Sequence, residues 1–497
     1  MAGRPNILLI LTDQHRFDAL GVNGSNVCRT PYLDALANEG VNFRNAYTCT
    51  ALCTPARVSL FTGMLPHRHG MTRNTEALPK AARSIPPDMP TIADRLREVD
   101  YQCGLEGKWH AGDRLPTQCG FVGLDTIAYG SATSTTEYAD HLKALSLDKP
   151  ELIAEGVGWH SNITLAGRMT GPVEASVPYF VAQRTIDRMA MFRETDQPFF
   201  LAACFWGPHA PYLPCEPYAS MYEPGEIKPW PNFADCFLNK PAIYKRHRDA
   251  FIGEGRPPRS WQDCAMWAAR YFGFVTQIDE QIGRIVEHAG DDTVIIFSAD
   301  HGDLCGAHGG MHDKNSMMVQ ELYHIPLIVR HPATRSIACH ADCEAPVSLI
   351  DIPATVIDLA GSRAAADLDG RSLVPLICGD PTPSQWPDHV VAQTFGTHFA
   401  YEARMIVSGR FKYVFHLADV DELYDLKADP WEMHNLINRD EFNDTLKALR
   451  RSLIEWAKVH GDPILGWLQS LYDDRSHCTI ENARPYSTGV WEAGQRI

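Results

Sequence analysis

No stretch of the sequence approaches the roughly 20 apolar residues that a membrane-spanning helix needs. The apolar run near the start, Ile7 to Leu11, is too short for the core of a signal peptide. Thr12-Asp13 closes it without a small-residue cleavage site. A basic excess is missing too: the formal net charge is −16, which excludes a general nucleic-acid binder but not an anionic substrate met by local cations. The 14 cysteines include no CxxC pair of the kind zinc sites use. These absences lead us to expect a cytoplasmic protein with mostly reduced thiols and neither membrane nor nucleic-acid partners.

Low-complexity tracts and internal repeats are also absent, and 45% hydrophobic with 21% charged residues is the balance of a globular chain. Length alone, 497 residues, suggests about three ordinary domains, although large α/β enzymes exceed that size without subdividing. Asn6 to Thr12 reads as a buried strand ending in Asp13. Thr30-Pro31 then opens a helix, with Thr30 as its cap, and Gly40 closes it. Further apolar runs read as strands: Phe199 to Phe205 before Gly207-Pro208-His209, Thr293 to Ser298 before Asp300-His301-Gly302, and Ile325 to Val329. Ala265 to His288 reads as a long amphipathic helix. This alternation indicates an α/β fold with a large, mixed but mostly parallel sheet covered by helices. Ligands of such sheets bind at the carboxyl ends of strands, where Asp13, His209, Asp300 and His301 fall. Past Gly379 the pattern changes: Phe411 to Phe415 and Leu423 to Leu426 read as short strands, and Asp444 to Val459 as a helix. Residues 1–380 are therefore expected to form a catalytic domain. Residues 381–497 form a smaller α+β subdomain with an aperiodic tail from Gly461, which suggests a homo-oligomer.

The strongest local signal is Ala51-Leu52-Cys53-Thr54-Pro55-Ala56-Arg57-Val58-Ser59-Leu60-Phe61-Thr62-Gly63. Pro55 suits the first turn of a helix, whose N-terminus offers free N–H groups and a positive dipole end to an anion. Arg57 lies one turn on and is placed to fork onto oxygens of the same group. A lone cysteine is ordinarily a buried small hydrophobe, and nothing in a single residue argues otherwise. The full segment, however, resembles the sulfatase signature Cys-x-Pro-x-Arg followed by an apolar pair, Thr and Gly. Tyr101-Gln102-Cys103-Gly104-Leu105-Glu106-Gly107-Lys108-Trp109-His110 resembles the second signature of that family. It departs from the pattern at Cys103, where Ser or Thr is usual, and at Asp100, where Gly precedes Tyr. Asp369-Gly370-Arg371-Ser372-Leu373, Glu422-Leu423-Tyr424-Asp425-Leu426, Asp429-Pro430 and Asn435-Leu436 resemble later landmarks, so the likeness spans about residues 5 to 440.

The resemblance implies an alkaline-phosphatase-like fold and hydrolysis of sulfate monoesters of the arylsulfatase kind. A formylglycine-generating enzyme would convert Cys53 to formylglycine during maturation. One divalent metal ion would be held by Asp13, Gln14, Cys53, Asp300 and His301. Gln14 departs from the commoner second Asp, as it does in choline sulfatases and phosphonate monoester hydrolases of this superfamily. Oxygen ligands suit calcium or magnesium, and the imidazole shifts the balance toward manganese, which leaves Ca2+ or Mn2+. By the same resemblance Arg57, Lys108 and Lys314 neutralise the transferred group, His209 or Lys314 protonates the leaving oxygen, and His110 is the base in breakdown of the intermediate. Asn74 is a further substrate contact. His308 and His312 are left as structural or supporting residues. Trp159, Trp206 and Tyr212, with residues 111–195, are expected at the pocket mouth, where aromatic side chains permit an aryl or sugar ester without selecting one. Asn162-Ile163-Thr164 matches a glycosylation triplet that carries no weight without a secretory signal. Two alternatives stand. A phosphonate monoester or phosphodiester hydrolase would use the same site, but such relatives lack the Gly-Lys-Trp-His block. A non-catalytic binding protein on the same scaffold would have lost some of these residues.

Overall fold

The computed structural model describes residues 4–75, 82–126, 130–157, 164–252, 260–332, 341–362, 367–379, 385–397 and 399–472. Trp159 and Asn162 lie outside them.

Eight strands form the large sheet: β1 (Asn6–Asp13), β2 (Val41–Phe43), β3 (Gln102–Gly107), β4 (Val122–Gly123), β5 (Phe199–Pro208), β6 (Thr293–Ala299), β7 (Leu327–Arg330) and β8 (Ala341–Cys343). Their order is β8-β2-β7-β6-β1-β5-β3-β4. The central run β6-β1-β5-β3 is parallel, whereas β7 runs antiparallel to both β6 and β2, so the sheet is mixed but mostly parallel. Both faces of β1 are covered. Ile7, Leu9 and Leu11 join one apolar cluster with Val58 and Phe61, while Leu8 and Ile10 join another with Phe180 and Ile278. Burial on both faces is what turns a strand into a continuous apolar run and makes it readable from sequence.

The first helix, α1 (Pro31–Glu39), starts where expected, but Thr30 does not cap it with its side chain. The Thr30 hydroxyl instead accepts from Gly21 N–H and donates to Asp34. The free N–H groups of Tyr32 and Leu33 go to Asp279, at 3.1 and 2.8 Å. Asp279 lies on the long helix α4 (Trp261–Ala289), which covers one face of the sheet beside α3 (Val177–Phe192). The opposite face is covered by α2 (Cys53–Thr62), every residue of which is buried, and by α5 (Asp351–Leu359).

A four-stranded antiparallel sheet follows, β9 (His389–Thr394), β10 (Ala403–Ser408), β11 (Phe411–His416) and β12 (Glu422–Asp425), paired in chain order. The compact unit that contains the large sheet runs to Asn438, beyond the boundary expected near residue 380, and takes in this second sheet. Buried contacts give the reason. Gln393 N–H donates to Cys49 O at 2.8 Å, Tyr244 Oη donates to Glu422, and the Lys412 ammonium donates to Met318 O. The second unit, from Arg439, has two helices that pack on one another, α6 (Asn443–His460) and α7 (Leu465–Tyr472). The start of the segment expected to be an aperiodic tail is thus helical. Among the described residues no helix is long and apolar enough to cross a membrane.

Candidate active site

Because β3, β5, β1 and β6 are parallel, their carboxyl ends lie along one sheet edge. That edge carries Lys108 after β3, His209 after β5, Asp13 at the end of β1, and Asp300-His301 after β6. The register between β1 and β5 slips between Leu11 and Asp13, an irregularity of the kind found beside functional sites.

Cys53 occupies the first turn of α2, fully buried. Its Sγ lies 3.2 Å from His301 Nε2 and 3.9 Å from Asp13 Oδ1. Donor atoms of Asp13, Cys53, Asp300 and His301 all lie within 4.8 Å of one another. His301 donates Nδ1–H to Gly302 O at 2.8 Å, because a carbonyl can only accept, and this leaves the Nε2 lone pair facing Cys53. Two carboxylates, an imidazole lone pair and a sulfur converging in one buried cluster fit a divalent cation.

Arg57 uses its whole guanidinium here: Nε to Asp300 at 2.9 Å, Nη2 to Asp13 at 2.8 Å and Nη1 to Lys108 O at 2.8 Å. The fork expected to face the anion is turned onto the two acids, so in this structure Arg57 positions the carboxylates and places its charge beside Cys53. Lys108 Nζ also reaches Asp13, at 2.7 Å. Burial alone would raise the Asp13 pKa, but Lys108 and then Arg57 hold it well below the ordinary carboxylate value.

The second signature block is shaped by its backbone. Gly107 has φ 110°, and a Cβ there would collide with Cys204 O, so only glycine lets the strand turn Lys108 toward Asp13. Trp109 packs on Phe61 of α2 with ring centroids 4.8 Å apart, which ties this strand end to the helix of Cys53. His110 is buried at the same place, with φ 46°. Asp100 has φ 61°, which explains why glycine usually precedes Tyr101.

On the other side of the cluster Lys314 donates to three acceptors: Gln14 Oε1 at 3.0 Å, His209 Nε2 at 2.9 Å and Asp313 Oδ1 at 2.9 Å. Burial would lower its pKa, but Asp313, Cys53 and Asp13 together hold it well above the ordinary lysine value. His209 donates Nδ1–H to Ala210 O, which leaves Nε2 as acceptor. Burial first, then the Lys314 ammonium, keeps His209 neutral by pushing its pKa well below 6.5. The proton of this pair therefore sits on Lys314. Asn74 accepts from Thr54 N–H at 3.0 Å and so binds the N-terminal turn of α2 beside Cys53.

The sequence reading missed the residues that hold Gln14. Its backbone is in the left-handed region at φ 65°, a conformation that costs a non-glycine residue roughly 1–2 kcal/mol. Asp300 accepts from Gln14 N–H at 3.1 Å, and Tyr271 Oη donates to Gln14 O at 3.0 Å. The Gln14 side-chain NH2 donates to Asp303, which also accepts from Tyr212 Oη and Cys305 N–H, each at 2.7 Å. Tyr212 is fully buried in this role, not at a pocket mouth as expected. Trp206 does line a cavity.

His308, Glu321 and Glu432 also bring donor atoms within 4.8 Å. Ion pairs occupy them: His308 bridges Asp235 at 2.9 Å and Glu321 at 3.2 Å, and Lys412 pairs with Glu432. His308 is structural.

Residues 5–362 match the protein family described as Sulfatase, and residues 306–459 match the C-terminal region of N-sulphoglucosamine sulphohydrolase. The chain belongs to the sulfatase family, which are sulfuric ester hydrolases of the alkaline phosphatase superfamily. It is 30% identical to an arylsulfatase of Clostridium perfringens, over 91% of this chain and 94% of that one. It is 24% identical to an N-acetylglucosamine-6-O-sulfatase of Bacteroides thetaiotaomicron, over 92% and 87%. In structure it is similar to a phosphonate monoester hydrolase of Agrobacterium radiobacter, with a TM-score of 0.76 and 25% identity over 92% and 96% of the two chains.

Proposed function

We propose that this chain hydrolyses sulfate monoesters after a formylglycine-generating enzyme has converted Cys53, with Asp13, Gln14, Asp300, His301 and residue 53 holding one Ca2+ or Mn2+ ion. The observation that carries the reading is the convergence of Cys53, Asp13, Asp300 and His301 in one buried cluster at the N-terminus of α2. When present, the metal supplies Lewis acidity and formylglycine supplies an oxygen nucleophile at position 53. The chain's own residues do the rest. Arg57 locks the two acids 2.8 and 2.9 Å from its nitrogens, so the ligand set is preorganised. Lys108, Lys314 and the N-terminus of α2 place positive charge around the transferred group. Lys314 holds the proton that the leaving oxygen needs, with His209 Nε2 accepting beside it at 2.9 Å. His110, buried at the end of β3, is assigned the role of base.

A phosphonate monoester or phosphodiester presents similar oxygens to the same atoms. Gln14 and the likeness to the Agrobacterium hydrolase support that second activity. Lys108 against Asp13 supports sulfate. Measuring kcat/KM for an aryl sulfate and an aryl phosphonate on one mature preparation tests the order. Sulfate is expected to be preferred, and a preference for phosphonate of tenfold or more would reverse the assignment.

A further inference from the structure

Beside this site lies a cavity of about 280 Å³, and His209 forms part of its wall. Its described lining contains no Asp, Glu, Lys or Arg. Leu152, Met169, Pro211, Leu213 and Phe274 contribute apolar surface. The polar side chains of the described wall are few, and each already has a partner within the protein. Trp206 Nε1 donates to Gly130 O at 3.2 Å, and Tyr138 Oη donates to Ala175 O. Thr170 Oγ1 accepts from Glu151 N–H at 2.8 Å, and Ser176 Oγ accepts from Tyr179 N–H at 3.4 Å. Ser131 and Thr133 hydrogen-bond one another at 2.9 Å.

A sugar would bring more hydroxyls than the few hydroxyl groups of the described wall can pair, and each one buried without a partner would cost about tenfold or more in affinity. An alkyl or aryl group would meet a matching wall, and the size suits a small organic group. His209 links the cavity to the chemistry, because its Nε2 accepts from Lys314, the proton donor to the leaving oxygen.

We infer that this cavity receives the leaving group, and that the preferred substrates are sulfate esters of uncharged, predominantly apolar alcohols or phenols rather than of sugars. The inference rests on the sulfate-ester reading and adds the substrate class to it.

The test is competition by n-alkyl sulfates of two to eight carbons, and by glucosamine 6-sulfate, against turnover of 4-nitrophenyl sulfate by the mature enzyme. Inhibition constants are expected to fall about fourfold per added methylene until the cavity is full. Glucosamine 6-sulfate is expected to bind at least a hundredfold more weakly than hexyl sulfate. Leu213→Glu should flatten the series, and Leu213→Met should keep its slope, which separates a lost apolar wall from a misfolded one. A flat wild-type series, or glucosamine 6-sulfate binding as tightly as hexyl sulfate, overturns the cavity assignment and leaves sulfate hydrolysis standing. If only an aryl phosphonate is turned over, the sulfate reading fails, and the alkyl series run against that reporter still decides the cavity.

Discussion

Asp303→Asn is nearly isosteric, yet it should weaken metal binding. Asp303 accepts from three buried donors: Gln14 Nε2, Tyr212 Oη and Cys305 N–H. An asparagine has one oxygen, and the backbone N–H of Cys305 has no other choice of direction. The asparagine NH2 then faces Gln14 and Tyr212. The tyrosine hydroxyl can rotate to accept, but Gln14 can accept only by turning its Oε1 around. That removes the oxygen from Lys314, now 3.0 Å away, and from the ligand cluster. The hydrogen bond lost to a charged acceptor is worth roughly 1.5–3 kcal/mol. Supporting partners of metal ligands typically contribute about 10–100-fold in affinity, or roughly 1.4–2.7 kcal/mol, the same range. Calorimetric titration of Mn2+ and Ca2+ into wild type and variant should show that loss. Adding Gln14→Asp should restore affinity, since a carboxylate has no wrong end. Affinity within twofold of wild type in Asp303→Asn would refute the reasoning.

Lys314→Met should lower kcat about 10²–10³-fold for esters of alcohols and less for 4-nitrophenyl sulfate, whose leaving group needs little protonation. Equal losses across leaving groups would place the proton elsewhere. Tyr271→Phe removes the hydroxyl that binds Gln14 O and accepts from Arg16 N–H, and should cost about 1–3 kcal/mol in guanidinium unfolding. Burial alone would lower the His308 pKa, but Glu321 and then Asp235 raise it from 6.5 to about 9. A raised folded-state pKa gives stability that is complete below pH 6.5 and is lost as pH rises through 9. The stability gap between wild type and His308→Gln should therefore narrow over that window in denaturant titrations, and a gap that widens would contradict the pairing.

The legible parts of the chain were those in which local sequence and tertiary role coincide. β1, β5 and β6 are buried on both faces, so their apolar runs announce them, and the polar residue that ends each run stands at the sheet edge. Cys53 to Gly63 carries helix, the cysteine proposed as nucleophile precursor, and arginine within one short segment. What escaped depends on contacts far apart in sequence. Asp279 replaces Thr30 as the cap of α1 across 246 residues, and Asp303 meets Gln14 across 289. Gln14 itself was the available signal: an amide where an acid is usual needs a partner to fix which end faces the ligand site, and Asp303 lies three residues beyond Asp300. Tyr212 looked like a rim residue because aromatic residues on loops serve either place, and only Asp303 shows that it is buried for its hydroxyl. β9 and β10, in a small antiparallel sheet, were overlooked, along with the strands Leu152–Val157 and Thr164–Met169.

The central claim concerns residue 53. The direct measurement is the mass of the peptide that contains it, from protein produced together with a formylglycine-generating enzyme, alongside turnover of 4-nitrophenyl sulfate by the same preparation and by Cys53→Ala. The account predicts the mass of the aldehyde or its hydrate, activity in proportion to that fraction, and none in Cys53→Ala. Unmodified cysteine throughout, in protein that still turns over the ester, would contradict it.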